Sequence, residues 1–141
     1  MKVTLERINQ DYLFKVTSSN GRSVLLDNKS KKQGKVAGIS PMELLLMGLA
    51  GCSSIDVIAI LNKQKLNPTS LKMEVDGERN ENEIPSLFNK INLKVIVDGE
   101  ISPKKIRRAV ELTFDKYCSI SKTLEHTAEI NYLIFLNGIE I

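Results

Sequence analysis

The chain has 141 residues, 42% hydrophobic and 26% charged, the size and balance of one domain (1–141) able to bury a core of its own. A net charge of +3, 5% aromatic residues and no Trp speak against a nucleic-acid surface, which needs a strong basic field and stacking platforms. Lys2 and Glu6 stand where a signal peptide carries its apolar run, so a cytoplasmic protein is expected, and there two cysteines do not form a permanent structural bridge.

Val3, Leu5 and Arg7 alternate with Thr4, Glu6 and Ile8, and Tyr12, Phe14 and Val16 alternate with Leu13, Lys15 and Thr17. This period of two predicts two strands. Asn20-Gly21 predicts a tight hairpin into a third strand over 22–27, completing a meander. The basic stretch 28–35 is expected to be a solvated loop. Ser40-Pro41 with Glu43 reads as a helix start, with the serine as N-cap and proline first in the helix. The helix predicted from there to about Lys65 is apolar on nearly every side. Its longest uncharged stretch, 44–55, is too short to cross a bilayer, so no membrane is expected, and the helix must be buried under a sheet, against a partner subunit, or both.

Leu71, Met73 and Val75, then Ile91, Leu93, Val95 and Val97, alternate with polar residues and predict two half-buried strands. Ser102-Pro103 repeats the helix-start signal. Ile106, Ala109, Val110, Thr113, Phe114 and Tyr117 fall on one face of this second helix, with Lys104, Lys105, Arg107 and Arg108 outward. A short helix after Cys118 and a strand over 130–136 close the chain. The fold class is α+β.

No phosphate loop or nucleophile elbow is present, and the single histidine, His126, excludes a His-rich metal site and is expected at the surface or a strand edge. No metal and no bound cofactor are expected. Thiol chemistry remains. A thiol with the ordinary pKa of about 8.5 is only about 3% thiolate at pH 7, so a nucleophilic Cys52 in mid-helix needs a cation beside it. At about 100° per residue, Leu45, Gly48, Leu49, Ile55, Asp56 and Ala59 share the Cys52 side, and Gly48 and Gly51 leave space around the sulfur. Asp56 opposes ionisation of Cys52 unless a cation pairs with it. Cys118, ending the second helix, points toward the core. From composition alone both cysteines also fit as small core residues, with the glycines permitting close packing.

Ser40-Pro-Met-Glu-Leu44, Gly51-Cys-Ser-Ser-Ile-Asp56 and Lys116-Tyr-Cys-Ser-Ile120 resemble the cysteine motifs of the OsmC/Ohr family. The Ser-Pro-Met-Glu and Cys-Ser-x-Ile-Asp forms are closest to its YhfA-like branch, and the segment from Glu78-Arg79 to Ile91 is similar as well. The resemblance implies antiparallel sheets packed around a long buried central helix in an intertwined homodimer, with the active sites at the dimer interface. It also implies a thiol peroxidase that reduces organic hydroperoxides in oxidative-stress defence. Cys52 is then the peroxidatic thiol, Cys118 the resolving thiol, Gly48, Leu49, Ile55 and Asp56 line the pocket, and an external lipoyl-type dithiol resets the disulfide.

One departure from the family pattern concerns activation. Characterised members carry a Glu ten residues before the first cysteine, where it orients an activating Arg. Here that position is Met42, and Glu43 points to the other side of the helix. Arg22 and Arg79 are the candidate activating cations, with Arg7 behind them. The alternative reading is a non-enzymatic dimer of the same fold that binds or senses an apolar or electrophilic small molecule at its interface pocket.

Overall fold

The computed structural model describes residues 1–28 and 35–141, and the expected basic loop falls largely outside the described residues. The chain separates into two compact units, Met1–Leu45 and Leu46–Ile141.

In the first unit, β1 (Val3–Arg7), β2 (Phe14–Ser18) and β3 (Ser23–Leu26) form the predicted meander. Both pairings are antiparallel, with Leu5 opposite Val16 and Val16 opposite Val24. The β1–β2 loop is built on side-chain bonds. Arg7 donates to the carbonyls of Gln10 and Asp11, and Asn9 Oδ1 accepts from the Asp11 and Leu13 amides. Gly21 at φ 82° makes the β2–β3 turn, a left-handed conformation that costs glycine nothing. Asp27, buried, accepts from the Ala37 amide at 2.8 Å. Gly38 lies against β3 so closely that a Cβ there would meet Leu25 O at 2.7 Å.

Helix α1 (Pro41–Lys63) starts in the first unit and runs into the second. At its start the Ser40 amide donates to Glu43 Oε2 at 3.0 Å, the reciprocal half of a capping box, and Pro41 takes the first helical position, where no amide is needed. At its end Lys65 adopts φ 59°. The Lys65 amide bonds Asn62 O and the Leu66 amide bonds Leu61 O, a Schellman closure that stops the helix two residues before the expected end.

By length and composition α1 could cross a bilayer. Instead one side packs within the second unit: Leu49, Val57, Leu61 and Ser53 are fully buried. Ser53 Oγ donates to Leu49 O and lies 3.0 Å from Met73 Sδ on the neighbouring strand. The opposite side is open in the single chain, where Met47, Gly51, Ile55 and Ala59 form an exposed row. Ile55 is 70% exposed.

The second unit holds β4 (Ser70–Arg79), β5 (Phe88–Asp98), β6 (Glu129–Leu136) and β7 (Ile139–Glu140), in that order across one sheet. Strict alternation on β5 buries Ile91, Leu93, Val95 and Val97 and turns Lys90, Asn92 and Lys94 to the other face, as a sheet with one packed face requires. Gly77 on β4 leaves room for the ring of Phe88, which a Cβ would meet at 2.6 Å.

The sheet is mixed. β4 and β5 are antiparallel, whereas β5 and β6 are parallel, with Val95 opposite Ile134. A parallel pair needs a crossover, and that crossover is helical: α2 (Pro103–Leu112), a π-helical turn (Thr113–Tyr117) and α3 (Ser119–Leu124). Ser102 does not cap α2 with its hydroxyl; its carbonyl accepts from the Lys105 and Ile106 amides. Phe114 stacks on Tyr132 of β6 at 4.8 Å between centroids, fixing the crossover to the sheet.

Candidate active site

The site is assembled from the middle of α1 and the junction between the π turn and α3. In the π turn the Cys118 amide bonds Thr113 O at 2.8 Å, an i to i+5 closure. That extra residue shifts the helical register. Tyr117, expected on the buried face, is therefore 46% exposed, and Cys118 is fully buried in the position that faces α1.

Cys118 then stands at the N-cap of α3, where its carbonyl accepts from the Lys122 amide and the Ser121 hydroxyl. α3 can lie close to α1 because Gly48 has no side chain. A Cβ on Gly48 would lie 3.2 Å from Ile120 Cδ1.

One turn beyond Gly48, the Cys52 thiol meets Cys118. Both are free thiols, Cys52 partly exposed and Cys118 buried, and their sulfurs lie within 4.8 Å of each other. Asp56 follows one turn further along α1. The two sulfurs and a carboxylate oxygen of Asp56 all lie within 4.8 Å of one another. Asp56 Oδ2 is buried with no hydrogen-bond partner among the described residues. Burial pushes the Cys118 thiol up from its usual pKa, and Cys52 beside it acts in the same direction, while Ser121 draws it part of the way back.

This arrangement offers one partly accessible thiol, a second thiol in contact with it, and a carboxylate with an unused oxygen. Two thiols this close can interconvert with a disulfide after modest side-chain motion. The same three side chains are also a possible donor set for a cation.

Other residues singled out from the sequence lie in varied settings. Gly48 and Asp56 flank Cys52, Leu49 is fully buried, and Ile55 faces outward. Arg7 is engaged with the carbonyls of its own loop. Arg22 is exposed at the β2–β3 turn of the first unit. Arg79, at the end of β4, is exposed and donates from Nε to Ser86 O at 3.0 Å. Glu43 accepts from the Ser40 amide. His126 is exposed in the turn before β6. Sequence reasoning missed Ile120, Ser121 and Met73. Only their nearness in sequence to Cys118 marked the first two, and nothing local marked Met73.

Residues 32–132 match the family model described as OsmC-like protein. Protein YhfA of Escherichia coli (strain K12) is 38% identical over 116 residues, covering 82% of this chain and 83% of YhfA. The crystal structure of a hypothetical protein from Aquifex aeolicus VF5 superposes with a TM-score of 0.80 at 28% identity, covering 96% of each chain. An organic hydroperoxide resistance protein from Elizabethkingia anophelis shares the fold, with a TM-score of 0.74 at 14% identity over 96% of this chain and 94% of that one. On the strength of the family match and the YhfA relationship, the chain belongs to the OsmC-like protein family.

Proposed function

We propose that this protein is a cytoplasmic, homodimeric thiol peroxidase that reduces organic hydroperoxides. The observation that carries the reading is the approach of the Cys52 and Cys118 sulfurs to within 4.8 Å, two free thiols from distant parts of the chain. The fold shared with organic hydroperoxide resistance proteins supports the choice of substrate class.

Cys52 is the attacking thiol, because it is the partly exposed member of the pair and Cys118 is sealed behind it. Its thiolate takes the outer oxygen of ROOH, the O–O bond breaks, and the alkoxide takes up a proton to leave as ROH. Cys52 is then a sulfenic acid. The Cys118 thiol condenses with it, forming the disulfide and releasing water. An external dithiol of the lipoyl type returns both cysteines to thiols and is itself oxidised to a disulfide. The exposed apolar row Met47, Gly51, Ile55 and Ala59 on α1 supports assembly with a second copy, since soluble monomers rarely leave such a stripe open. Arg22 and Arg79 remain the candidates for the cation that favours the Cys52 thiolate.

The test is to add cumene hydroperoxide to the reduced protein, count free thiols and measure intact mass. Formation of a Cys52–Cys118 disulfide, with loss of two hydrogens, is expected at modest peroxide excess. If both thiols persist, the peroxidase reading fails and ligand binding without chemistry takes its place.

A further inference from the structure

We infer that Cys52, Asp56 and Cys118 in the reduced protein form a binding site for a soft divalent cation of the zinc class. The inference rests on the site geometry and not on the peroxidase reading.

Three observations carry it. The two sulfurs and the Asp56 oxygen already lie within 4.8 Å of one another. Zinc with bonds of about 2.3 Å to sulfur and about 2.0–2.2 Å to oxygen holds tetrahedral ligands about 3.5–3.8 Å apart, so small rotations of three side chains suffice. Second, Asp56 Oδ2 is buried and has no hydrogen-bond partner among the described residues. A buried carboxylate oxygen without a donor is costly, and a bound cation would satisfy it. Third, the donors converge from two elements that are themselves held. Cys52 and Asp56 are one turn apart on α1, and Cys118 is fixed by the π-turn closure and the start of α3.

The donor set selects the metal. Two thiolates are soft ligands that suit zinc and its relatives, and magnesium and calcium prefer an all-oxygen shell. Three protein ligands leave one position open to water on the accessible side of Cys52. Uptake is balanced: M²⁺ replaces the protons of the two thiols, releasing two H⁺, and the carboxylate adds as the third ligand. No electron is transferred.

The consequence is competition for the same sulfurs. A bound cation shields Cys52 and Cys118 from peroxide, and a Cys52–Cys118 disulfide leaves no thiolate to bind the cation. The reduced protein takes up metal and the oxidised protein releases it.

The experiment titrates the reduced full-length protein with Co²⁺, following the thiolate-to-cobalt charge-transfer and tetrahedral ligand-field bands, and then adds Zn²⁺. One Co²⁺ per chain is expected, displaced by Zn²⁺. Cys52→Ser and Cys118→Ser should lose the charge-transfer band in full or in large part. Asp56→Asn should retain thiolate bands but bind at least about tenfold more weakly. The wild-type disulfide form, which needs no substitution, should bind none. Absence of a thiolate band at stoichiometric Co²⁺, equal uptake by the disulfide form, or unchanged affinity in Asp56→Asn would each overturn the site. Peroxide-driven disulfide formation without metal uptake sinks this inference and leaves the peroxidase reading standing; metal uptake without disulfide formation does the reverse.

Discussion

Gly48 of α1 and Ile120 of α3 are so close that a methyl group on Gly48 would lie 3.2 Å from Ile120 Cδ1. This approach lets Cys52, one turn on from Gly48, reach Cys118, two residues before Ile120. The end of an isoleucine side chain can swing aside, and alanine favours the helix over glycine by about 1 kcal/mol. Gly48→Ala should therefore keep or slightly raise stability in urea denaturation. Gly48→Val adds two further methyls against α3, and a displacement of the thiols by a fraction of an ångström should slow peroxide-driven disulfide formation about tenfold or more. An unchanged rate in Gly48→Val would show that helix approach does not set the thiol geometry.

The two cysteines are not equivalent. Cys52→Ser should abolish hydroperoxide consumption. Cys118→Ser should consume one equivalent and stop at a sulfenic acid on Cys52, trapped by a 1,3-dione and located by peptide mass. Trapping at position 118 in Cys52→Ser, with continued consumption, would reverse the assigned roles.

Lys65 holds a left-handed conformation at φ 59° in the closure of α1, a conformation that costs an L-residue about 1–2 kcal/mol and glycine little. Because glycine also loosens the unfolded chain, Lys65→Gly should stabilise by about 0.5–1 kcal/mol. Lys65→Val should destabilise. Urea midpoints check both signs.

Ile55 is 70% exposed in the apolar row on α1. If that row meets a second copy, Ile55→Lys should shift the protein from dimer to monomer in sedimentation velocity, with its helical circular dichroism retained. A dimer that survives Ile55→Lys unchanged would place the contact elsewhere.

Burial raises the Tyr132 phenol above its usual pKa of 10.0, with Asp115 and then Glu111 adding to the effect. Between the unfolded and folded values the native state holds a proton that the unfolded chain has lost. The stability tied to neutral Tyr132 is thus intact below pH 10.0 and declines as pH rises from there through the raised value. From about pH 9 to about pH 11, wild type should lose more stability than Tyr132→Phe, which keeps the stack on Phe114 and has no proton to lose. Equal losses would remove Tyr132 as the source.

The architecture was legible because it follows from local patterns. Period-two alternation at Val3–Arg7, Phe14–Ser18 and Ile91–Val97 marks strands, and on β5 it matches the buried face, while Ser40-Pro41-Met42-Glu43 carries its helix start in adjacent residues. The cysteine motifs pointed to the family that the comparisons establish. Less legible were β7, only Ile139–Glu140, and the open side of α1, since an apolar residue in sequence does not say whether its own chain covers it.

By itself, then, the sequence determined the α+β class, the order of elements and the presence of two thiols in family-like motifs, all properties of neighbouring residues. Tertiary structure alone decided the rest. The parallel β5–β6 pairing depends on how a crossover lies on a sheet, and the outward turn of Tyr117 depends on one extra residue in a π turn. The meeting of Cys52, Asp56 and Cys118 within 4.8 Å depends on how α3 lies against α1, where Ile120 Cδ1 leaves little room for a side chain larger than alanine at Gly48. Such contacts arise between segments distant in the chain, where no local periodicity carries the distance.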